Sequence, residues 1–140
     1  DIRMTRFMIT LEEGVKLVWQ AFEDMKGGEI YVKKIKSMKV TDIALAIKPE
    51  VKYEIIGSRP GEKLHEQMIS PEDAIFTYEY EGFYKIFPSI NNVLINKENI
   101  NCGKPVSPNF NYSSDTNKEW MTKEELRLWI ETHKREIGMI

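Results

Sequence analysis

The segment from Thr10 to Gly28 constrains the fold most strongly, because it carries a helix start, an apolar stripe and a stop signal. Thr10 and Glu13 have the spacing of a capping box, in which each side chain satisfies a backbone N–H of the other residue. Apolar residues then recur at the spacing of one helix face; they are Leu11, Val15, Val18, Trp19, Phe22 and Met25. Gly27-Gly28 is a typical helix stop. The pattern predicts a helix through about Met25 whose apolar face points inward.

Shorter elements are predicted along the rest of the chain. Alternating apolar residues predict strands at residues 4–9, 29–32 and 51–56, and a hairpin over 76–87 that turns at Gly82. Cap signals predict helices from Thr41 to Ile47, from the turn at Arg59 to about residue 68, at residues 70–73, and over residues 122–137. In the last helix, Leu126, Trp129, Ile130 and His133 share one face. The predicted fold class is α/β, as an α+β-like small domain of short strands with helices and a hairpin.

Length and composition indicate one domain over residues 1–140, with an irregular segment over 88–116 that is rich in Asn, Pro and Ser. The chain has 140 residues, of which 41% are hydrophobic and 30% charged, and its net charge is -2. Lys and Arg form no basic stripe, so we predict no nucleic-acid partner. No apolar run reaches membrane-spanning length and no leader pattern opens the chain, so we predict no membrane contact and a cytoplasmic location.

Several kinds of site are excluded by the sequence. A lone cysteine, Cys102, allows no internal disulfide, and two histidines leave no cluster of soft ligands for zinc. The chain has no G-x-G-x-x-G turn, no P-loop, no G-x-S-x-G and no Tyr-x-x-x-Lys pair. It also opens at Asp1 without an initiator Met and begins with a predicted strand, so we expect it to be a piece of a longer protein.

The stretch from Arg59 to Glu66 is the best candidate for ligand binding. Pro60 and Gly61 predict a sharp turn directly before a helix, and helix starts attract phosphate. The guanidinium of Arg59 suits a pyrophosphate, and the Glu62 carboxylate suits a sugar diol. A plain strand-to-helix connection with a surface arginine is the simpler alternative.

Two further arginines, Arg3 and Arg6, fit a second arm of the same anion clamp, since they lie where a strand feeds a helix start. For Arg3, a chance surface position is a fair rival. Lys63 and His65 are interpreted as solvated or capping side chains.

The motifs that carry these residues follow one another through the chain. They are Arg3 to Phe7, Gly27 to Ile30, Ser37 to Ala44, Ile55 to Glu66, and Tyr112 to Asn117 ahead of Glu119-Trp120 and Glu124 to Arg127. In this order and spacing they closely resemble the C-terminal part of inverting UDP-N-acetylglucosamine 4,6-dehydratases. That group belongs to the extended short-chain dehydrogenase/reductase superfamily and serves capsule and flagellin-sugar biosynthesis. The resemblance covers essentially the whole chain.

The resemblance implies a division of labour between two halves of an enzyme. An N-terminal Rossmann half, absent here, would hold NAD(P) and the catalytic tyrosine, lysine and aspartate, while this half closes over the UDP-sugar. By similarity, Arg59 would contact the pyrophosphate and Glu62 the uridine ribose. Arg6 would also reach phosphate, with Arg3 a neighbouring candidate.

For the whole enzyme, a lyase, the resemblance implies hydride transfer from sugar C4 to the cofactor, loss of water across C5 and C6, return of the hydride to C6, and inversion at C5. A homo-oligomer is expected, and this chain alone should be inactive. Two alternatives stay open: a stand-alone, non-catalytic binding or interaction domain, and a capsule UDP-sugar dehydratase that also epimerises.

Overall fold

The structure, a computed structural model, describes residues 1–89 and 100–133. Its strands are β1 (Thr5–Met8), β2 (Ile30–Lys33), β3 (Lys36–Lys39), β4 (Gln67–Ile69), β5 (Thr77–Glu79), β6 (Phe83–Ile86), β7 (Lys104–Pro105) and β8 (Tyr112–Ser113). The helices that lie wholly within the described residues are α1 (Leu11–Asp24), α2 (Val40–Ile47), α3 (Pro71–Ala74) and α4 (Lys123–Thr132). Mixed helices and short antiparallel sheets confirm the predicted fold class.

The chain forms two compact units, each assembled from separated segments. Unit 1 contains Asp1–Met8, Lys36–Glu66 and the chain from Ser114 onward. Unit 2 contains Ile9–Ile35 and Gln67–Ser113.

Unit 1 is built on the antiparallel pair of β1 and β3, in which Thr5 lies opposite Lys39 and Met8 opposite Lys36. Helix α2 follows β3 without a loop, and α4 packs against α2. Their shared core contains Met38, Ala46 and Leu126, which are at most 7% exposed. Partly buried side chains surround it: Met8, Ile43, Met121, Trp129 and Ile130. The predicted apolar face of the last helix therefore lies on this core.

Unit 2 is centred on a four-stranded antiparallel sheet in the order β2-β6-β5-β7. The predicted hairpin is confirmed as β5 and β6, with Gly82 at φ 79° in its turn. Every residue of β6 is buried, since the strand has a neighbour on each side. A second antiparallel pair joins β4 to β8. Strands β7 and β8 lie within residues 88–116, the segment predicted to be irregular.

Three capping interactions fix helix starts where the sequence predicts them. The Thr10 hydroxyl accepts a hydrogen bond from the Glu13 N–H while the Glu13 carboxylate accepts from the Thr10 N–H. Ser70 with Asp73 and Thr122 with Glu125 form the same reciprocal pair. Helix α4 is described through Thr132 with its cap at His133, and the rest of the predicted 122–137 helix lies outside the described residues.

The prediction that the apolar face of α1 points inward is wrong. The six residues of the predicted apolar stripe are all exposed, from 46% at Val15 and Met25 to 87% at Leu11, and no residue of α1 is buried. Periodicity predicts that a stripe is apolar, but it does not say whether the covering surface belongs to the same chain.

Two local predictions in unit 1 also fail. Helix α2 begins at Val40, so Thr41 lies inside it, and Lys39 at the cap makes no side-chain hydrogen bond. Strand β3, which occupies the residues before it, was not predicted. Residues 51–56 form no strand, because no strand of the described chain pairs with them.

Candidate functional site

The Arg59 turn is the centre of the candidate site, and it lies in unit 1. The Glu62 N–H donates to the Arg59 carbonyl at 3.0 Å, with Pro60 and Gly61 at the two central positions. Gly61 has φ 80°, which is the conformation that the third position of a type II turn requires. The predicted sharp turn is therefore present.

The helix predicted to follow this turn is absent, because competing groups occupy the carbonyls that such a helix would use. The Leu64 carbonyl accepts from the Thr5 N–H at 3.0 Å and from Arg6 Nη1 at 3.1 Å. The Lys63 carbonyl accepts from Arg6 Nη2 at 3.1 Å. Residues 67–69 then form β4. The turn thus offers no helix N-terminus to an anion, and only its side chains and turn backbone remain for binding.

A second set of bonds ties the end of the segment to Ser114, whose side chain is completely buried. The Glu66 N–H donates to Ser114 Oγ at 2.9 Å, and the Ser114 N–H donates to the Glu66 carbonyl at 2.8 Å. Ser114 Oγ also lies 2.7 Å from Thr5 Oγ1, which in turn lies 2.8 Å from His65 Nδ1. We call Thr5, Arg6 and Ser114, which together hold residues 63–66, the anchor.

The four predicted site residues have different surroundings. Arg59 is exposed, and no carboxylate is paired with its guanidinium in residues 1–89 and 100–133. Glu62 is exposed too, and its Oε2 accepts from the Arg59 N–H at 3.1 Å. One carboxylate oxygen of Glu62 therefore braces the turn while the other stays available. This geometry presents a cation and an acceptor on one hydrogen-bonded turn.

Arg3 and Arg6 are both engaged by the protein itself. Arg3 binds the Asp1 carboxylate through Nε at 2.9 Å and Nη2 at 2.7 Å. The Arg6 side chain is 27% exposed, its Nε lies 3.5 Å from Glu66 Oε1, and its Nη1 also donates to the Thr5 carbonyl. The structure brings Arg6 next to the segment that follows the Arg59 turn, whereas Arg3 is folded onto Asp1.

No sequence pattern predicts the buried hydroxyl pair of Thr5 and Ser114, and His65 was predicted to be solvated or capping. In the structure His65 is half-buried and bonded to Thr5. Thr5 and Ser114 do lie within the motifs quoted above. Nothing in the sequence pairs them, however, because they are 109 positions apart.

A cluster of ionisable groups in unit 2 surrounds Lys85. Lys85 is 4% exposed, and its ammonium is paired with the Asp24 carboxylate. It lies 4.8 Å from the Tyr80 ring centroid and 5.4 Å from that of Tyr31. Tyr31 donates to the same carboxylate at 2.6 Å, and Tyr80 donates to the Ile100 carbonyl at 2.7 Å.

The pKa values of this cluster follow from burial and from the ion pair. Burial alone would raise the pKa of Asp24, but hydrogen bonds from Lys85 and Tyr31 outweigh it and leave the pKa below its ordinary value. Burial, reinforced by the Asp24 carboxylate, raises the pKa of Tyr31, and the same two causes raise the pKa of Tyr80 to about 12. The phenols are thus held protonated beside a carboxylate that their neighbour Lys85 keeps ionised.

The sequence offers no binding motif for a nicotinamide cofactor. The chain carries no glycine-rich strand-turn-helix on which a dinucleotide pyrophosphate could sit. Over residues 1–89 and 100–133, no three His, Cys, Asp or Glu side chains are grouped as metal ligands.

Comparison with known proteins assigns the chain to a family. Residues 1–88 match the family described as "Polysaccharide biosynthesis protein". The chain belongs to this family. Within the described part of this family member, no helix is both long and apolar enough to cross a membrane.

Relatives confirm the resemblance that the motifs indicate. The chain is 51% identical over 133 residues to the "UDP-N-acetylglucosamine 4,6-dehydratase (inverting)" of Campylobacter jejuni serotype O:2. The aligned region covers 90% of this chain and 39% of that protein. It is 30% identical over 142 residues to the "UDP-glucose 4-epimerase" of Rickettsia prowazekii, covering 96% of this chain and 41% of that protein. The chain therefore spans about two fifths of the length of these curated relatives.

A solved structure shares the fold. The X-ray structure of Pen from Bacillus thuringiensis superposes with a TM-score of 0.77 at 29% sequence identity. The match covers 96% of this chain and 40% of that chain.

Proposed function

We propose that this chain is the UDP-sugar-binding part of an inverting UDP-N-acetylglucosamine 4,6-dehydratase. The observation that carries the proposal is the Arg59 turn, an exposed guanidinium on a braced type II turn, in a chain 51% identical over 133 residues to a protein of that name. The guanidinium is a planar donor fork that matches a diphosphate.

Each predicted site residue has a place in this proposal. Arg59 binds the pyrophosphate, and the free oxygen of Glu62 accepts from the uridine ribose. Arg6 contributes at most a minor part of phosphate binding, because most of its N–H donors are directed at the carbonyls of Thr5, Lys63 and Leu64. Arg3 contributes only if its pair with Asp1 opens.

The chain's contribution to the reaction is binding and orientation of the sugar nucleotide. The intact enzyme is proposed to be a lyase that uses NAD(P), bound mainly by an N-terminal Rossmann half. Because this chain has neither a cofactor turn nor a Tyr-x-x-x-Lys pair, we propose that it is inactive alone. The expected homo-oligomer and cytoplasmic location stay predictions.

The alternatives receive less support. Identity is 51% to an inverting dehydratase and 30% to a UDP-glucose 4-epimerase, which favours a dehydratase over a 4-epimerase. The capsule dehydratase that also epimerises is supported by neither of these two relatives. A stand-alone binding domain would retain the Arg59 turn as well. The coding sequence upstream of Asp1 distinguishes the dehydratase from the stand-alone domain. A glycine-rich strand-turn-helix there supports the dehydratase, and a start codon immediately upstream supports the stand-alone domain.

The proposal is tested by calorimetric titration of the chain with UDP and with UDP-N-acetylglucosamine. We expect saturable binding that Arg59→Ala weakens about tenfold or more, because a charge-assisted hydrogen bond contributes about 1.5–3 kcal/mol. Lys52→Ala is the matched control, since Lys52 is an exposed cation in the same segment. Equal affinities for the Arg59 variant and the unmodified chain would reject the assigned role.

Glu62 is tested by comparing two ligands. Glu62→Gln keeps an oxygen for the Arg59 N–H but loses the charge, so we expect weaker binding of UDP and little change for inorganic pyrophosphate. Equal losses for both ligands would mean that Glu62 only supports the turn.

A further inference from the structure

The Arg59 turn and the segment after it are held in different ways. Bonds around the turn are local: Ser58 Oγ donates to the Glu62 carbonyl at 3.2 Å, the Glu62 N–H donates to the Arg59 carbonyl, and the Arg59 N–H donates to the Glu62 carboxylate. Residues 63–66, in contrast, are bonded to β1 and to Ser114. The orientation of the turn therefore depends on the residues that immediately follow it.

Within the anchor, Ser114 Oγ has three neighbours and one proton. It lies 3.2 Å from the Thr5 carbonyl, which can only accept, and 2.9 Å from the Glu66 N–H, which can only donate. All three contacts are satisfied when Ser114 donates to the carbonyl and accepts from Thr5 Oγ1 at 2.7 Å. Thr5 Oγ1 has then used its proton and needs a donor from its remaining neighbour.

That neighbour is His65 Nδ1, at 2.8 Å from Thr5 Oγ1. All four contacts of the two hydroxyls are hydrogen bonds only when His65 carries a proton on Nδ1. If Thr5 Oγ1 instead donates to the ring, Ser114 donates to Thr5 Oγ1 and its contact with the Thr5 carbonyl is lost, although that carbonyl still accepts from Arg6 Nη1 at 2.7 Å. Thr5 is 4% exposed and Ser114 is 0% exposed, so water does not readily replace a missing partner at either hydroxyl. His65 is thus the end of a directed chain of hydrogen bonds that runs from the ring through Thr5 and Ser114 to the β1 backbone.

We propose that His65 is a positioning residue for the Arg59 turn, acting as an Nδ1–H donor to Thr5 Oγ1 and so fixing residues 63–66 on β1. Its significance for UDP-sugar binding rests on the function proposed above. His65 does not touch the ligand. Its effect is to hold the turn in one orientation, which spares the ligand the entropic cost of ordering it.

The first test uses the unmodified chain and no ligand. Long-range ¹H–¹⁵N correlation NMR of the imidazole reports which ring nitrogen is protonated. We expect a protonated Nδ1 at neutral pH. A ring with a bare Nδ1 would overturn the donor assignment.

The second test compares two variants of His65. The amide NH₂ of Asn can replace the Nδ1–H donor, whereas Leu cannot. We expect His65→Leu to lower the ¹⁵N order parameters of the Gly61 and Glu62 N–H groups from about 0.85 towards about 0.6, and His65→Asn to retain them. A solely structural role predicts lower thermal stability in both variants with unchanged order in the turn, and that result would refute the proposal.

UDP titration of the same variants links the order of the turn to binding. We expect His65→Leu to raise the Kd about five- to tenfold and His65→Asn to change it less than about twofold. Should His65→Leu fail to fold, Thr5→Val removes the same contact from the other side and is expected to reproduce the loss of order. Retained order in Thr5→Val would contradict the proposal.

The two proposals fail in different ways. If the unmodified chain does not bind UDP, or if Arg59→Ala binds it equally well, the proposed function fails, while the NMR order parameters still decide the role of His65. If Arg59→Ala weakens binding but His65→Leu changes neither the order of the turn nor the Kd, the positioning role alone is rejected.

Discussion

The ion pair between Lys85 and Asp24 should respond unequally to the removal of its two partners. The Lys85 side chain is 5% exposed and that of Asp24 is 45% exposed. Lys85→Met removes a buried ammonium and leaves a carboxylate that water can reach. Asp24→Ala leaves the ammonium buried without its carboxylate. Breaking a buried pair in this second way is the costlier change.

The magnitudes follow from the contacts. Lys85→Met loses three cation–π contacts, to Tyr31, Tyr80 and Phe87, of about 0.5–1 kcal/mol each, and an ion pair of about 1–2 kcal/mol, but it removes a desolvation cost of several kcal/mol. The expected net change in unfolding free energy is within about 1 kcal/mol. Asp24→Ala is expected to cost about 2–3 kcal/mol, at the low end for buried pairs because Glu29 also acts on Lys85.

Urea unfolding followed by far-UV circular dichroism measures both variants. With a slope of about 2 kcal/mol per molar urea, Asp24→Ala should lower the midpoint by about 1–1.5 M, and Lys85→Met by less than about 0.5 M. Lys16→Met is the control, because Lys16 forms an exposed pair with Glu12, and it should leave the midpoint unchanged. Equal losses for the Lys85 and Asp24 variants would refute the reasoning.

Two further predictions concern the core and the buried phenol. Met38→Ala should lower the free energy of unfolding in urea by about 3 kcal/mol because Met38 is fully buried. Met25→Ala, at 46% exposure, should change it by less than about 0.5 kcal/mol. Similar losses in the two variants would contradict the assignment of Met38 to the core. The raised pKa of Tyr80, about 12 compared with its ordinary 10.0, means that the folded state holds this proton more tightly. Its contribution to stability is therefore complete below pH 10 and is lost as the pH rises towards 12. The urea midpoint should fall over that range, and fall less in Tyr80→Phe; identical pH dependence would contradict the shift.

The parts of the fold that could be predicted from the sequence are those decided by near neighbours. The capping pairs at Thr10, Ser70 and Thr122 each join residues three positions apart, so the sequence contains both partners of each bond. The hairpin at Gly82 is equally local. In these elements the local preference and the final structure agree.

The failures share a different cause. The helix after Arg59 was predicted from local cap signals, but the Leu64 carbonyl is taken by Arg6, which lies 58 positions earlier. Similarly, the contact of Thr5 with Ser114 joins distant residues whose individual patterns give no hint of pairing. At the candidate site, motif residues such as Arg59 and Glu62 could be selected from the sequence. The absence of a helix start and the presence of the anchor required the tertiary bonds.

The interleaved composition of the two units has a consequence for how the chain is made. Unit 1 draws on the first eight residues and on those from Ser114 onward, so it is complete only after synthesis has passed unit 2. During translation β1 and β3 can pair early, whereas Ser114 reaches Thr5 only after the intervening residues have left the ribosome. The bonds from Thr5 and Arg6 to the Lys63 and Leu64 carbonyls can therefore form before the bonds that join Ser114 to Thr5 and Glu66.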